Sequence, residues 1–176
     1  MSFEGVNPLI EKHYDFFSRE LIEKCSDYSI KSYNNPEISF RTNRTWDPSI
    51  VLDSFPVLIF NLSDKDILNQ EITTEIYNKL GIKPVSVMFY YWTKFSYIPW
   101  HSDGIYKSAL TVYLNLEWDL NWGGYFVYKK QNEDEGTVIP PFYNLGILQC
   151  GGVMHCTTPV LSPTECRRTM QMFFGN

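Results

Sequence analysis

The sequence predicts a mainly β protein of α+β character, a jelly-roll-like double-sheet barrel behind a helical N-terminal layer. Three observations predict it. Helical periodicity is confined to two stretches before Gly81. Beyond Gly81 the apolar runs become short, β-branched and aromatic, with turn residues between them. Aromatic residues make up 16% of the chain, a bias that suits sheets and pocket walls.

The first helix is expected over residues 9–25. Leu9, Phe16, Phe17, Leu21, Ile22 and Cys25 form its apolar stripe, while Glu11, Lys12, Arg19, Glu20, Glu23 and Lys24 are solvated. His13 falls on the exposed face and is given no role. A second helix is expected over residues 65–80, with Ser63 as candidate N-cap and Gly81 as the stop. Between them lie turn signals at Asn34-Asn35-Pro36 and Asp47-Pro48, and a run, Val57-Leu58-Ile59-Phe60, with strand character. Strands follow over residues 85–92, 109–116, 124–129, 145–150 and 167–174, spaced for antiparallel pairing. The run Asn132-Glu133-Asp134-Glu135-Gly136 reads as a solvated hairpin loop. The whole, residues 1–176, is expected to be one domain, with a supporting layer to about residue 80 and the β core after it.

At 176 residues the chain can bury roughly 70% of its unfolded surface without disulfide staples. Its net charge is −5, with no run of Lys or Arg, so no nucleic-acid or anionic-membrane partner is expected. No secretory pattern opens the chain and no apolar stretch is long enough to span a bilayer. Four cysteines occur without a C-x-x-C pair, and a cytoplasmic location with reduced thiols is the default expectation.

Two of the three histidines lie in the β region. His101 and Asp103 are two apart, so in a strand both side chains point to one side. His155 follows the Gly151-Gly152 turn signal and can approach from a neighbouring strand. Two imidazoles and one carboxylate occupy one face of an octahedral metal and leave the other positions open, the donor set of non-haem Fe(II) oxygenases. Alone, H-x-D is a short pattern that chance supplies readily, and its bland reading is a surface pair.

Arg167 lies twelve positions beyond His155 and opens an alternating segment. Arg167, Thr169, Gln171 and Phe173 share one face, and Arg168, Met170, Met172 and Phe174 the other. An arginine in such a strand is costly to bury unpaired, and its planar fork binds a carboxylate through two hydrogen bonds.

The pattern H-x-D, a distant second histidine, then R-x-T, resembles the Fe(II)/2-oxoglutarate-dependent oxygenase superfamily. The neighbouring Tyr113-Leu114-Asn115, Trp118 and Gly123-Gly124-Tyr125-Phe126 look like its prolyl-hydroxylase-like branch. The resemblance covers about residues 84–176 and implies a double-stranded β-helix, the cupin-like form of the jelly roll. It implies that His101, Asp103 and His155 ligate Fe(II). Arg167 would pair with the distal carboxylate of 2-oxoglutarate, with Thr169 and Tyr113 beside it. Tyr91, Phe126 and Phe173 would serve as pocket residues. The implied reaction uses dioxygen to hydroxylate an unactivated C–H bond, with 2-oxoglutarate decarboxylated to succinate and CO2. A peptidyl prolyl side chain is the leading substrate. A free amino acid or other small metabolite, or a non-catalytic cupin-like metal-binding module, are the alternatives.

The sequence departs from some branches. Collagen-type members carry Lys at the position of Arg167. DNA-alkylation-repair members carry a second Arg where this chain has Phe173. Halogenating members lack the carboxylate that Asp103 retains. The N-terminal half lies outside the resemblance, and Arg41, Arg44 and Trp46 are noted there as residues able to contact substrate.

Overall fold

The computed structural model describes residues 10–43, 57–129 and 134–175. Leu9, Arg44, Trp46, Asp47, Pro48, Asn132 and Glu133 lie outside them.

Strand β1 (Ile10–His13) is followed by helix α1 (Arg19–Tyr33), then β2 (Arg41–Asn43), β3 (Val57–Asn61) and α2 (Ile67–Leu80). The remaining strands are β4 (Ser86–Trp92), β5 (Ile98–His101), β6 (Ser108–Tyr113), β7 (Phe126–Lys129), β8 (Gly136–Ile139), β9 (Gly146–Cys150), β10 (Met154–Thr157) and β11 (Arg167–Phe174). They build a seven-stranded sheet in the order β1-β9-β6-β11-β4-β3-β2 and a four-stranded sheet in the order β5-β10-β7-β8. Every pairing is antiparallel.

The large sheet uses both faces. Along β4, Val87, Phe89 and Tyr91 meet the helices, while Met88, Tyr90 and Trp92 face the small sheet. Along β11, Met170, Met172 and Phe174 join the helical side, and Arg167, Gln171 and Phe173 line a cavity between the sheets. The helical side is the main core: Phe16, Phe17, Leu21, Ile22 and Cys25, with Ile72 and Ile76 of α2, cover the sheet. Burying each such side chain contributes about 1.5–3 kcal/mol. Tyr113, Phe126, Ile139, Leu145 and Ile147 bind the inner faces together at the closed end.

The expected first helix is corrected. Its stripe from Phe16 to Cys25 is buried, but residues 10–13 are a strand paired with β9, and the helix starts at Arg19. Asp15 adopts φ 51°, which no α-helix accommodates. The backbone of Phe16 and Phe17 instead bonds Asn144: Phe16 N to its carbonyl at 2.9 Å and Phe17 N to Oδ1 at 2.9 Å. His13 therefore sits on β1, 3.2 Å from Glu11.

The second helix begins at Ile67, and its N-cap residue is Asp66 rather than Ser63. The two reach toward each other, Ser63 N donating to Asp66 Oδ2 at 2.9 Å. Gly81 closes the helix as expected, at φ 70°, its N–H bonded to Tyr77 O at 2.8 Å. The N-terminal layer also supplies strands β1–β3, so it extends the sheet as well as covering it. No helix among the described residues is long and apolar enough to cross a membrane.

Candidate metal and keto-acid site

A cavity of about 600 Å³ opens between the two sheets, lined at its base by His101, Asp103, His155, Phe126, Trp92 and Arg167. His101 ends β5 and His155 lies on β10, directly across the ladder from it. Their rings lie 4.1 Å apart between centroids. Asp103 sits in the turn after β5. Its Oδ1 is 3.8 Å from His101 Nε2 and its Oδ2 is 3.6 Å from His155 Nε2. One donor atom from each of the three residues falls within 4.8 Å of the others.

The same local device orients both imidazoles. His101 Nδ1 lies 2.8 Å from Pro99 O, and His155 Nδ1 lies 2.9 Å from Val153 O. A carbonyl only accepts, so each Nδ1 carries the proton and each Nε2 presents a lone pair to the shared point. Such a carbonyl partner is the usual outer support of a metal-binding histidine. Phe126 stacks on the His155 ring at 5.2 Å and 22°. Burial, with the neighbouring His101 adding to it, holds His155 below its ordinary pKa. That favours the neutral imidazole a metal requires.

Arg167 is 1% exposed, and its Nε and Nη1 have no hydrogen-bond partner among the described residues. Its guanidinium lies between two rings, 4.6 Å from the centroid of Trp92 and 4.9 Å from that of Tyr113. Burial presses its pKa down, opposed by Tyr113. The Tyr113 hydroxyl is likewise buried with no hydrogen-bond partner among the described residues. Thr169 pairs across the ladder with Tyr113 and accepts a hydrogen bond from Trp92 Nε1 at 3.0 Å. Gly124, at φ 68°, makes room for this arginine, since a Cβ there would fall 2.7 Å from Arg167 Cδ. A buried cation with two idle donors and an aromatic clamp is suited to receive an anion, and no described residue supplies one.

His101, Asp103, His155, Arg167 and Phe126 line this one cavity, and Phe173 also lines it, stacked on Tyr106 at 4.4 Å. Tyr91 is the correction. It pairs with Arg168 on the helical face of the sheet, stacks on Tyr33 at 5.2 Å and does not reach the cavity. Strand alternation gives the cavity to Tyr90 and Trp92 instead. Trp92 is registered opposite Arg167, which was the available signal. Gln149 was also missed. It is 2% exposed and donates to Asp103 Oδ2 at 2.7 Å. At the outer rim stand Arg41, Ile105 and Tyr106.

Comparison with solved structures gives consistent neighbours. A Pseudomonas putida prolyl-4-hydroxylase superposes with TM-score 0.75 at 12% identity, covering 96% of this chain and 93% of that one. A Trichoplax adhaerens prolyl hydroxylase, solved with a hypoxia-inducible-factor peptide, gives TM-score 0.70 at 13% identity over 94% and 83%. A viral collagen prolyl hydroxylase from Paramecium bursaria Chlorella virus-1, in its 2-oxoglutarate complex, gives 0.63 at 16% over 96% and 97%. The fold is that of the Fe(II)/2-oxoglutarate oxygenases. It is therefore a double-stranded β-helix, as the sequence resemblance implied. No protein-family model and no curated protein matches the sequence.

Proposed function

We propose that this protein, as a single domain, is an Fe(II)- and 2-oxoglutarate-dependent dioxygenase that hydroxylates an unactivated C–H bond, with a peptidyl prolyl side chain as substrate. One observation carries the reading. A buried, unpaired Arg167 shares a cavity with a two-histidine, one-carboxylate set whose lone pairs converge. Either feature alone has ordinary explanations; together they match a metal-chelating keto acid with a second carboxylate.

In this reading His101, Asp103 and His155 hold the metal. When bound, iron and 2-oxoglutarate supply the dioxygen-activating chemistry, with the keto acid converted to succinate and CO2. The chain's own task is placement and exclusion of water. Arg167 would receive the distal carboxylate through its idle Nε and Nη1, with the Tyr113 hydroxyl as a third donor. Trp92 and Tyr113 hold the guanidinium between their rings. Thr169 fixes Trp92 in turn. Phe126 walls the His155 side of the base. The fold likeness to three prolyl hydroxylases supports a prolyl side chain as substrate.

A second reading, a free amino acid or other small acid as substrate, is favoured by Arg41. It lines the rim, is held by Asn61 Oδ1 at 2.9 Å, and has no carboxylate partner among the described residues. A divalent metal and Arg167 are balanced by Asp103 and a dianionic keto acid, which leaves Arg41 as the unmatched charge of the lining.

The test supplies Fe(II), 2-oxoglutarate and oxygen with a panel of proline-containing peptides and free amino acids. Succinate release coupled to gain of one oxygen atom by a peptide is the expected result. Coupling only with free amino acids moves the assignment to the second reading. Absence of 2-oxoglutarate consumption and binding rejects both.

A further inference from the structure

The Gln149 side chain sits where two proposed metal ligands meet. It comes from β9, opposite Ala109, and is 2% exposed. Its Nε2 donates to Asp103 Oδ2 at 2.7 Å and lies 3.2 Å from His155 Nε2. The carboxylate oxygen can only accept, and His155 spends its N–H on Val153 O, which leaves its Nε2 lone pair for the metal. The amide orientation follows: turned over, Oε1 would face a carboxylate oxygen at hydrogen-bond distance with no proton between them. The remaining Oε1 is buried with no hydrogen-bond partner among the described residues. A buried amide with an idle acceptor is costly to keep, so its position asks for a reason beyond packing.

We propose that Gln149 is a positioning residue that holds Asp103 as a one-oxygen ligand. The inference rests on the metal and keto-acid reading above. With Oδ2 tied to the amide N–H, Asp103 offers Oδ1 to the metal. A carboxylate free to turn can bind through both oxygens and take a further coordination position. A chelating keto acid and dioxygen need three positions beyond the protein's three. Gln149 therefore keeps a site open for the co-substrate. It acts through Asp103, and the metal's own retention depends on the three ligands.

The test compares wild type with Gln149→Leu, which keeps the volume and removes both N–H donors, and with Gln149→Met, an unbranched second choice. Circular dichroism melts establish which variants fold. Each folded protein is titrated anaerobically with Fe(II), then with 2-oxoglutarate, following the visible charge-transfer band of the chelated keto acid. We expect the Fe(II) Kd to stay within about threefold of wild type. We expect the 2-oxoglutarate Kd to rise tenfold or more, with a shifted or weakened band. An unchanged band and 2-oxoglutarate Kd overturns the proposal. So does loss of Fe(II) binding in a folded variant, because Gln149 would then serve metal retention. Absence of the band in wild type overturns the underlying reading along with it.

Discussion

Replacing Gly124 by alanine tests whether the shape of the Arg167 pocket is set by backbone as well as by side chains. The added Cβ would stand 2.7 Å from Arg167 Cδ, 3.3 Å from its Nε and 3.3 Å from Val160 Cγ2, at φ 68°. Two costs combine. A non-glycine residue at positive φ costs about 1–2 kcal/mol. Forcing a packed side chain aside costs about 1–3 kcal/mol more. Arg167 has little space to yield, being clamped between Trp92 and Tyr113. Two controls separate the terms. Gly81→Ala meets no atom within 4 Å at φ 70°, so it carries the backbone cost alone. Gly152→Ala meets no atom within 4 Å and has no positive φ, so it should stay within about 0.5 kcal/mol of wild type. Urea unfolding should therefore rank Gly124→Ala as the most destabilised, by about 2–5 kcal/mol in total. Only Gly124→Ala should also weaken 2-oxoglutarate binding, by tenfold or more, a loss of at least about 1.4 kcal/mol. A Gly124→Ala protein with wild-type 2-oxoglutarate affinity, or one no less stable than Gly81→Ala, would refute the reasoning.

Other consequences are equally open to measurement. Tyr113→Phe removes a donor facing Arg167 and should raise the 2-oxoglutarate Kd, whereas Tyr91→Phe, on the helical face, should leave it unchanged; calorimetric titration of the metal-loaded proteins decides. Arg167→Ala should spare metal binding and weaken 2-oxoglutarate by about 2–5 kcal/mol, as the loss of a buried charge pair does. Burial pushes the Cys25 thiol up from 9.0 to about 12. The folded state thus keeps a proton that the unfolded chain gives up above pH 9, and the thiol's stabilising effect, full below pH 9, is lost as pH rises toward 12. The stability advantage of wild type over Cys25→Ala should shrink by roughly 1.4 kcal/mol per pH unit there. A constant difference between pH 8 and 10.5 in urea unfolding would contradict it.

The sequence was most readable where polar and apolar residues alternate. β11 has the bounds expected of it, because Thr169, Met170, Gln171 and Met172 alternate in character at its centre. β1, β5, β8 and β10 are four residues each, too short for a period to emerge, and β5 and β10 carry the polar side chains of His101 and His155. The error over Tyr91 has a related cause. Tyr90, Tyr91 and Trp92 are all aromatic, so nothing within β4 sets the phase, and only its pairing with β11 does. Gln149 was hidden because an amide in a strand looks the same whether it meets solvent or a carboxylate. His101, Asp103 and His155 stood out in the sequence through a two-residue spacing and one further histidine, and the ladder pairing of His101 with His155 brings them together.

The central claim is that one cavity holds a divalent metal and a keto acid through separate residues. Anaerobic titration of wild type, Asp103→Ala and Arg167→Ala with Fe(II) and 2-oxoglutarate tests it most directly. The visible charge-transfer band is expected in wild type, no band in Asp103→Ala, and in Arg167→Ala a band that needs far more 2-oxoglutarate to saturate. A folded wild-type protein that forms no band, or equal 2-oxoglutarate affinity in wild type and Arg167→Ala, would contradict it.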